Sequence, residues 1–162
     1  MRMATTPTTQ IQRCQTRYFG SLEYDQSSVL EFPEGLPAFE RERRFLMLRQ
    51  PRNEPLAFLQ SVDTQNLCFV TLPAQAACPG FRLTLSPEDL EALGLEAGHQ
   101  PSLGRDVLCL AILSFEENTP PTANLLAPIV INLRTLRARQ ALQTDSRYSV
   151  REPLPLREAA CS

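Results

Sequence analysis

The stretch from residue 107 to residue 143 decides the fold: VLCLAIL at 107–113, LLAPIVINL at 125–133 and RARQALQ at 137–143. VLCLAIL has no polar alternation, which predicts a strand covered on both faces. LLAPIVINL and RARQALQ read as a closing pair of strands. Proline cannot donate to a sheet ladder, so Pro128 demands either an edge position or a bulge. Working back toward the N-terminus, the same kind of signal recurs in short pieces. TQIQRCQ (9–15) and RYFGSLEY (17–24) read as strands, the second with Gly20 as a bulge or close-approach point. SVLEF (28–32), FLML (45–48), LAFLQSV (56–62) and LCFVTL (67–72) follow, separated by turns containing proline and asparagine. FRLTL (81–85) alternates, so Phe81, Leu83 and Leu85 should face the core.

One helix is well signalled. Ser86 can cap it, Pro87 suits its first position, and Asp89 completes an S-x-x-D box over the positive helix N-terminus. Leu90, Leu93 and Leu95 supply its buried stripe and Gly94 its terminator. A second helical turn is predicted near Ala38 to Arg44. Roughly nine short strands with one or two short helices make the fold mainly β, a small closed β-barrel-like domain or a sandwich with helical caps.

A chain of 162 residues suits a single domain. The expected division is a disordered N-terminal tail at 1–10, the barrel at 11–155 and a frayed C-terminal tail at 156–162. The opening MRMATTPTTQIQRCQTR has no apolar core of a signal peptide. The longest apolar run, 107–113, falls far short of the ~20 residues of a membrane helix. Five cysteines in no regular spacing (Cys14, Cys68, Cys78, Cys109 and Cys161) suggest reduced, mostly buried thiols rather than a disulfide framework or zinc site.

Charge is unevenly distributed. Residues 1–53 carry +2, residues 54–133 carry −7, and residues 134–162 carry +3. The acidic middle disfavours nucleic acid as a direct partner and suits a basic protein, unless it is simply a solvated face. Its expected contributors are Glu88, Asp89, Glu91 and Glu96 on the helix, with Asp63, Glu116 and Glu117 on loops.

Nothing in the chain assembles enzyme chemistry. The single histidine, His99, lies in the Gly- and Pro-rich stretch GLEAGHQPSLG with no nucleophile beside it. Phosphate-loop, dinucleotide, nucleophile-elbow and zinc-protease motifs are absent from the sequence. Two segments are specified beyond what folding needs. FPEGLPAF (32–39) sets two prolines and a glycine between aromatic ends, as a docking loop or as a rigid cover for the core. TANLLAPIVIN (122–132) offers either an exposed docking edge or a buried one.

These residues carry a family resemblance. Tyr18-Phe19-Gly20, FPEGLPAF, LQSV (59–62), PEDLEALGL (87–95) and above all NTPPTANLLAPIVINLRTLRARQALQTDSRYSVREPL (118–154) are similar, in order, to the flagellar assembly factor FliW family. After LCFVTLP, where the family tends to carry a run of aromatics, this chain has AQAACPG (74–80). The resemblance implies a compact β-barrel-like protein of the cytoplasm without catalytic activity or cofactor. It implies binding of flagellin and of CsrA, the small RNA-binding translational repressor. Repression of flagellin mRNA would thereby be relieved, and free flagellin would sequester the factor. No membrane contact is expected, and the free protein should be a monomer. The candidate partner-binding residues are Phe32, Pro33, Gly35, Pro37 and Phe39 in the first segment, Asn124, Leu125, Pro128, Val130 and Asn132 in the second, and Glu88 and Glu91 on the helix. The alternative is a small β-barrel enzyme of hydrolase type acting through His99 and nearby acids.

Overall fold

The computed structural model describes residues 10–154; the expected tails fall almost wholly outside them. The hairpin β1 (Ile11–Thr16) and β2 (Gly20–Asp25) forms its own two-stranded sheet. The main sheet contains β3 (Leu30–Glu31), β4 (Arg44–Leu48), β5 (Ala57–Ser61), β6 (Cys68–Pro73), β7 (Val107–Ser114), β8 (Thr122–Asn132), β9 (Ala138–Gln140) and β10 (Glu152–Pro153). Its order is β10-β8-β7-β6-β5-β4-β3, antiparallel throughout, with β9 also paired to β8. Two short helices, α1 (Ala74–Ala77) and α2 (Pro87–Ala92), lie between β6 and β7. The Glu31 amide donates to the Leu136 carbonyl at 3.0 Å, and Glu31 bridges Arg137 in parallel. That contact draws the far strand β3 to the chain entering β9 and nearly closes the sheet into a barrel, as the sequence predicts.

β7 separates two apolar clusters. Val107, Cys109, Ala111 and Leu113 pack with α1, α2, Phe81, Leu125 and Val130. Leu110 points the other way, among Phe32, Phe45, Leu59, Ile129 and Ile131. Coverage of both faces explains the unbroken apolar run. A smaller cluster of Cys14, Val29 and Leu46 seats the β1–β2 hairpin on the main sheet.

The decisive irregularity lies between β7 and β8. Leu110 pairs with Ile129 and Ile112 with Asn124, so Ala111 alone faces four residues, 125–128. Pro128 therefore occupies a bulge, and its missing N–H is not required by the ladder. The other polar groups of the bulge find partners outside it. The amides of Leu125 and Leu126 donate to the Ser149 carbonyl at 2.9 and 3.2 Å, and the Ala127 amide donates to Asn124 Oδ1 at 3.0 Å. Carbonyls 126, 127 and 128 accept from the Gln143 amide, Gln140 Nε2 and the Ala141 amide.

The structure corrects several expectations. β8 is no exposed edge: β7 pairs with one side and β9 with the other, and Val130 and Ile131 are both 0% exposed. The short apolar run signals burial here because both faces of this nearly closed sheet are covered. FRLTL is extended but joins no ladder, because side chains replace a neighbouring strand. The Tyr148 hydroxyl accepts from the Arg82 amide at 2.9 Å, and Gln143 and Gln100 each bond both the amide and the carbonyl of one residue, Thr84 and Leu85 respectively. The predicted alternation nevertheless holds, with Phe81 and Leu85 buried and Leu83 packed beside them. Residues 38–43 form turns and irregular chain leading into β4, and the second helix is α1, within AQAACPG. Gly20 closes the β1–β2 turn at φ +69° rather than forming a bulge. Of RARQALQ, only 138–140 pair as a strand.

Two outcomes follow from this burial. Val130→Arg should cost several kcal/mol of stability by forcing an unpaired charge into the core, visible as a large loss of urea midpoint. Burial pushes the Cys109 thiol up to about 12 and the Cys68 thiol up to about 11, so both stay protonated at pH 8. Cys109 should resist iodoacetamide in the native protein and react once urea unfolds it, as peptide mass mapping would report.

Candidate functional site

The 32–39 loop is a stiff projection anchored by two apolar plugs. Phe32, 0% exposed, sits edge-on to Phe45 with ring centroids 5.2 Å apart, and Leu36 is also buried. Between them the Gly35 amide donates to the Phe32 carbonyl, while Leu36 and Phe39 exchange amide–carbonyl bonds at 3.3 and 2.7 Å. This leaves Pro33, Pro37 and Phe39 outside, Phe39 standing edge-on to Phe69 at 5.5 Å. Gly35 has no substitute. Its φ is +68°, and a Cβ there would lie 2.5 Å from the Glu40 carbonyl oxygen.

Helix α2 lies beside this loop. Its capping box is complete: Ser86 Oγ accepts from the Asp89 amide at 3.0 Å, and Asp89 Oδ2 accepts from the Ser86 amide at 3.1 Å. Gly94 follows at φ +70°, as a helix terminator should. Glu88 and Glu91 are exposed, whereas Asp89, expected on the acidic face, is buried. Its second oxygen, Oδ1, takes the Arg139 Nε at 2.9 Å. The same guanidinium reaches Glu88 at 3.3 Å and Glu34 of the loop at 3.2 Å. Arg139 thus joins three elements far apart in sequence, and sequence reading missed it. Its signal was the alternation of RARQ, which turns Ala138 inward and lays Arg139 on the opposite side of β9.

The charge blocks of the sequence do not survive folding. Arg44, Arg139 and Arg151, from the basic ends, pair with Asp63, Glu88 with Asp89, and Glu116 of the acidic middle. Glu91, Glu96 and Glu117 stay exposed and make no ion pair among the described residues. The negative face is therefore narrower than the residue count implies.

Of the proposed contacts, the structure brings Pro33, Gly35 and Glu88 together around Arg139, with Pro37 and Phe39 further along the same loop. Phe32, Leu125, Pro128, Val130 and Asn132 are buried, which corrects their assignment as surface contacts. They shape the framework instead. Asn132 donates through Nδ2 to the Leu93 carbonyl at 2.8 Å and accepts the Arg134 amide on Oδ1, tying β8 to the end of α2. Asn124 is half-buried and committed to the Ala127 amide within the bulge.

His99 is exposed beside an open depression of about 460 Å³ that Glu96, Arg105, Asp106 and Arg134 also line. No serine, threonine or cysteine lines it, and Asp106 Oδ2 is engaged by the Ser102 amide at 2.8 Å. The arrangement supplies no activated nucleophile. Among the described residues no group of histidine, cysteine, aspartate and glutamate could hold a metal, and no helix is long and apolar enough to cross a membrane.

A nearly closed antiparallel barrel with an exposed, core-anchored loop beside a charged helix defines a small β-barrel protein. The family model for the FliW protein matches residues 13–154. The flagellar assembly factor FliW of Bdellovibrio bacteriovorus is 35% identical over 140 residues, covering 86% of this chain and 77% of that protein. Its counterpart in Carboxydothermus hydrogenoformans is 36% identical over 143 residues, covering 85% and 86%. A crystal structure of the flagellar assembly factor FliW superposes with a TM-score of 0.76 at 30% identity, over 89% of this chain and 97% of that one. The chain belongs to the FliW family of flagellar assembly factors.

Gly35→Ala should destabilise the protein by about 1–3 kcal/mol, since the backbone is left-handed there and the added carbon meets main chain rather than a movable side chain. Chemical denaturation measures this, and an unchanged midpoint would show that the loop can relax.

Proposed function

We propose that this protein binds flagellin in the cytoplasm, and binds the translational repressor CsrA so as to relieve its repression of flagellin mRNA. The observation that carries this reading is the family match running from residue 13 to residue 154, through the barrel, the 32–39 loop and the bulged β8 alike. It acts by occupancy and not by turnover, without a cofactor, and is monomeric when free. Pro33, Gly35, Pro37 and Phe39 form the apolar contact and Asn124 a separate polar one. Glu88 and Glu91 attract a basic partner. An exposed proline-braced loop suits docking because little conformational entropy remains to be lost on binding.

The test is direct. Purified protein is mixed with flagellin and with CsrA and followed by gel filtration and calorimetry. Flagellin mRNA is then translated in vitro with CsrA, with and without this protein. Complexes with both partners and restored translation are expected; no complex with either sinks the proposal. His99→Ala should bind both as the parent does, whereas a hydrolase working through that residue would lose its function.

Phe39→Ala, which trims a half-exposed ring, should weaken one partner at least tenfold with little loss of thermal stability. Glu88→Gln/Glu91→Gln/Glu96→Gln should slow CsrA association and flatten its salt dependence, since rim charges act mainly on encounter rate. An association rate that ignores both salt and the triple substitution would mark these acids as solvated surface only.

A further inference from the structure

We propose that Arg139 is a strap across the tip of the 32–39 loop, fastened permanently to α2 at one end and releasably to Glu34 at the other. The two ends differ in kind. Asp89 holds Arg139 Nε with its side chain only 7% exposed, and that carboxylate is itself locked in the α2 capping box. Glu34 and Glu88 meet the same guanidinium with side chains 67% and 79% exposed. A shielded pair keeps its strength in salt, whereas exposed pairs are screened and contribute little each. The Arg139 side chain, 19% exposed, can therefore stay docked on α2 while its hold on the loop breaks and reforms.

Local packing makes the tip the part that moves. Phe32 and Leu36 plug the core on either side, but Pro33 and Glu34 between them are exposed and Gly35 is half-buried. Beneath this tip Ala92 of α2, Ala138 of β9 and Arg139 line a small recess. Small side chains there give the tip almost no apolar purchase, so even the modest ion pair to Glu34 adds to its hold. Breaking that pair loosens the tip without disturbing either plug. The strap also makes the loop's resting position depend on the integrity of the α2 N-terminus, two sites that share no backbone hydrogen bond among the described residues.

Amide exchange followed residue by residue by NMR on the full chain tests this. Glu34→Gln should speed exchange at the Gly35 amide about two- to fivefold, the scale of one exposed ion pair, while Leu36, Leu90 and Leu93 keep their parental rates. Arg139→Gln should speed Gly35 together with Leu90 and Leu93. In the unmodified protein, about 1 M salt, where screening acts within about 3 Å, should reproduce the Glu34→Gln pattern. The strap is overturned if Glu34→Gln and salt leave Gly35 at its parental rate, or speed it no more than the core amides of Leu59 and Ile129. Arg139→Gln speeding α2 alone would overturn it equally. Should Arg139→Gln fail to fold, the substitution at exposed Glu34 and the salt series still decide the matter.

Discussion

The architecture depends on one mismatch: four residues of β8 span the place where β7 offers only Ala111. Excess length in one strand frees peptide groups from the ladder, and buried peptide groups must be bonded somewhere. Segment 140–149 meets that demand through the amides of Ala141 and Gln143, the side chain of Gln140 and the carbonyl of Ser149. Gln143 and Tyr148, drawn in by the bulge, then turn back to hold the extended 81–85 segment. That segment leads into the capped helix α2, and α2 meets the exposed loop through Arg139. Framework and presented surface are consequently one chain of contacts beginning at a proline that could not join a sheet.

Electrostatics follows from the same folding back. The C-terminal segment is basic and the middle is acidic, so returning one over the other pairs charges that the linear sequence keeps apart. Most of these pairs are exposed and worth little individually. The exception is Arg139 with Asp89, where both groups are largely withdrawn from water and either would be costly alone.

How much was legible varied with how local the cause was. The α2 box, Gly94 and the two-sided burial of β7 were readable because each depends on a few neighbouring residues. The bulge at Pro128 was readable as one of two options, and only the pairing of β9 on the far side of β8 decided between them. FRLTL shows the limit: alternation reports which side chains face the core, but Gln100, Gln143 and Tyr148, which replace its missing neighbour strand, lie 15, 59 and 66 residues from the groups they bond. Arg139 was invisible for the same reason, since its three carboxylates belong to segments that meet only in the folded chain.

The dependence of the bulge on residues 140–149 has a consequence during synthesis. A ribosome releases β4 to β7 well before those residues emerge, and the carbonyls of Leu126, Ala127 and Pro128 then have only water for partners. The antiparallel meander can form early from sequence-adjacent strands, but the barrel is sealed by its final stretch, across long chain separations that are slow to close. Until that moment the apolar faces of β7 and β8 stand open to any neighbour, so the interval between their emergence and that of Tyr148 is when this chain is most exposed to misassociation.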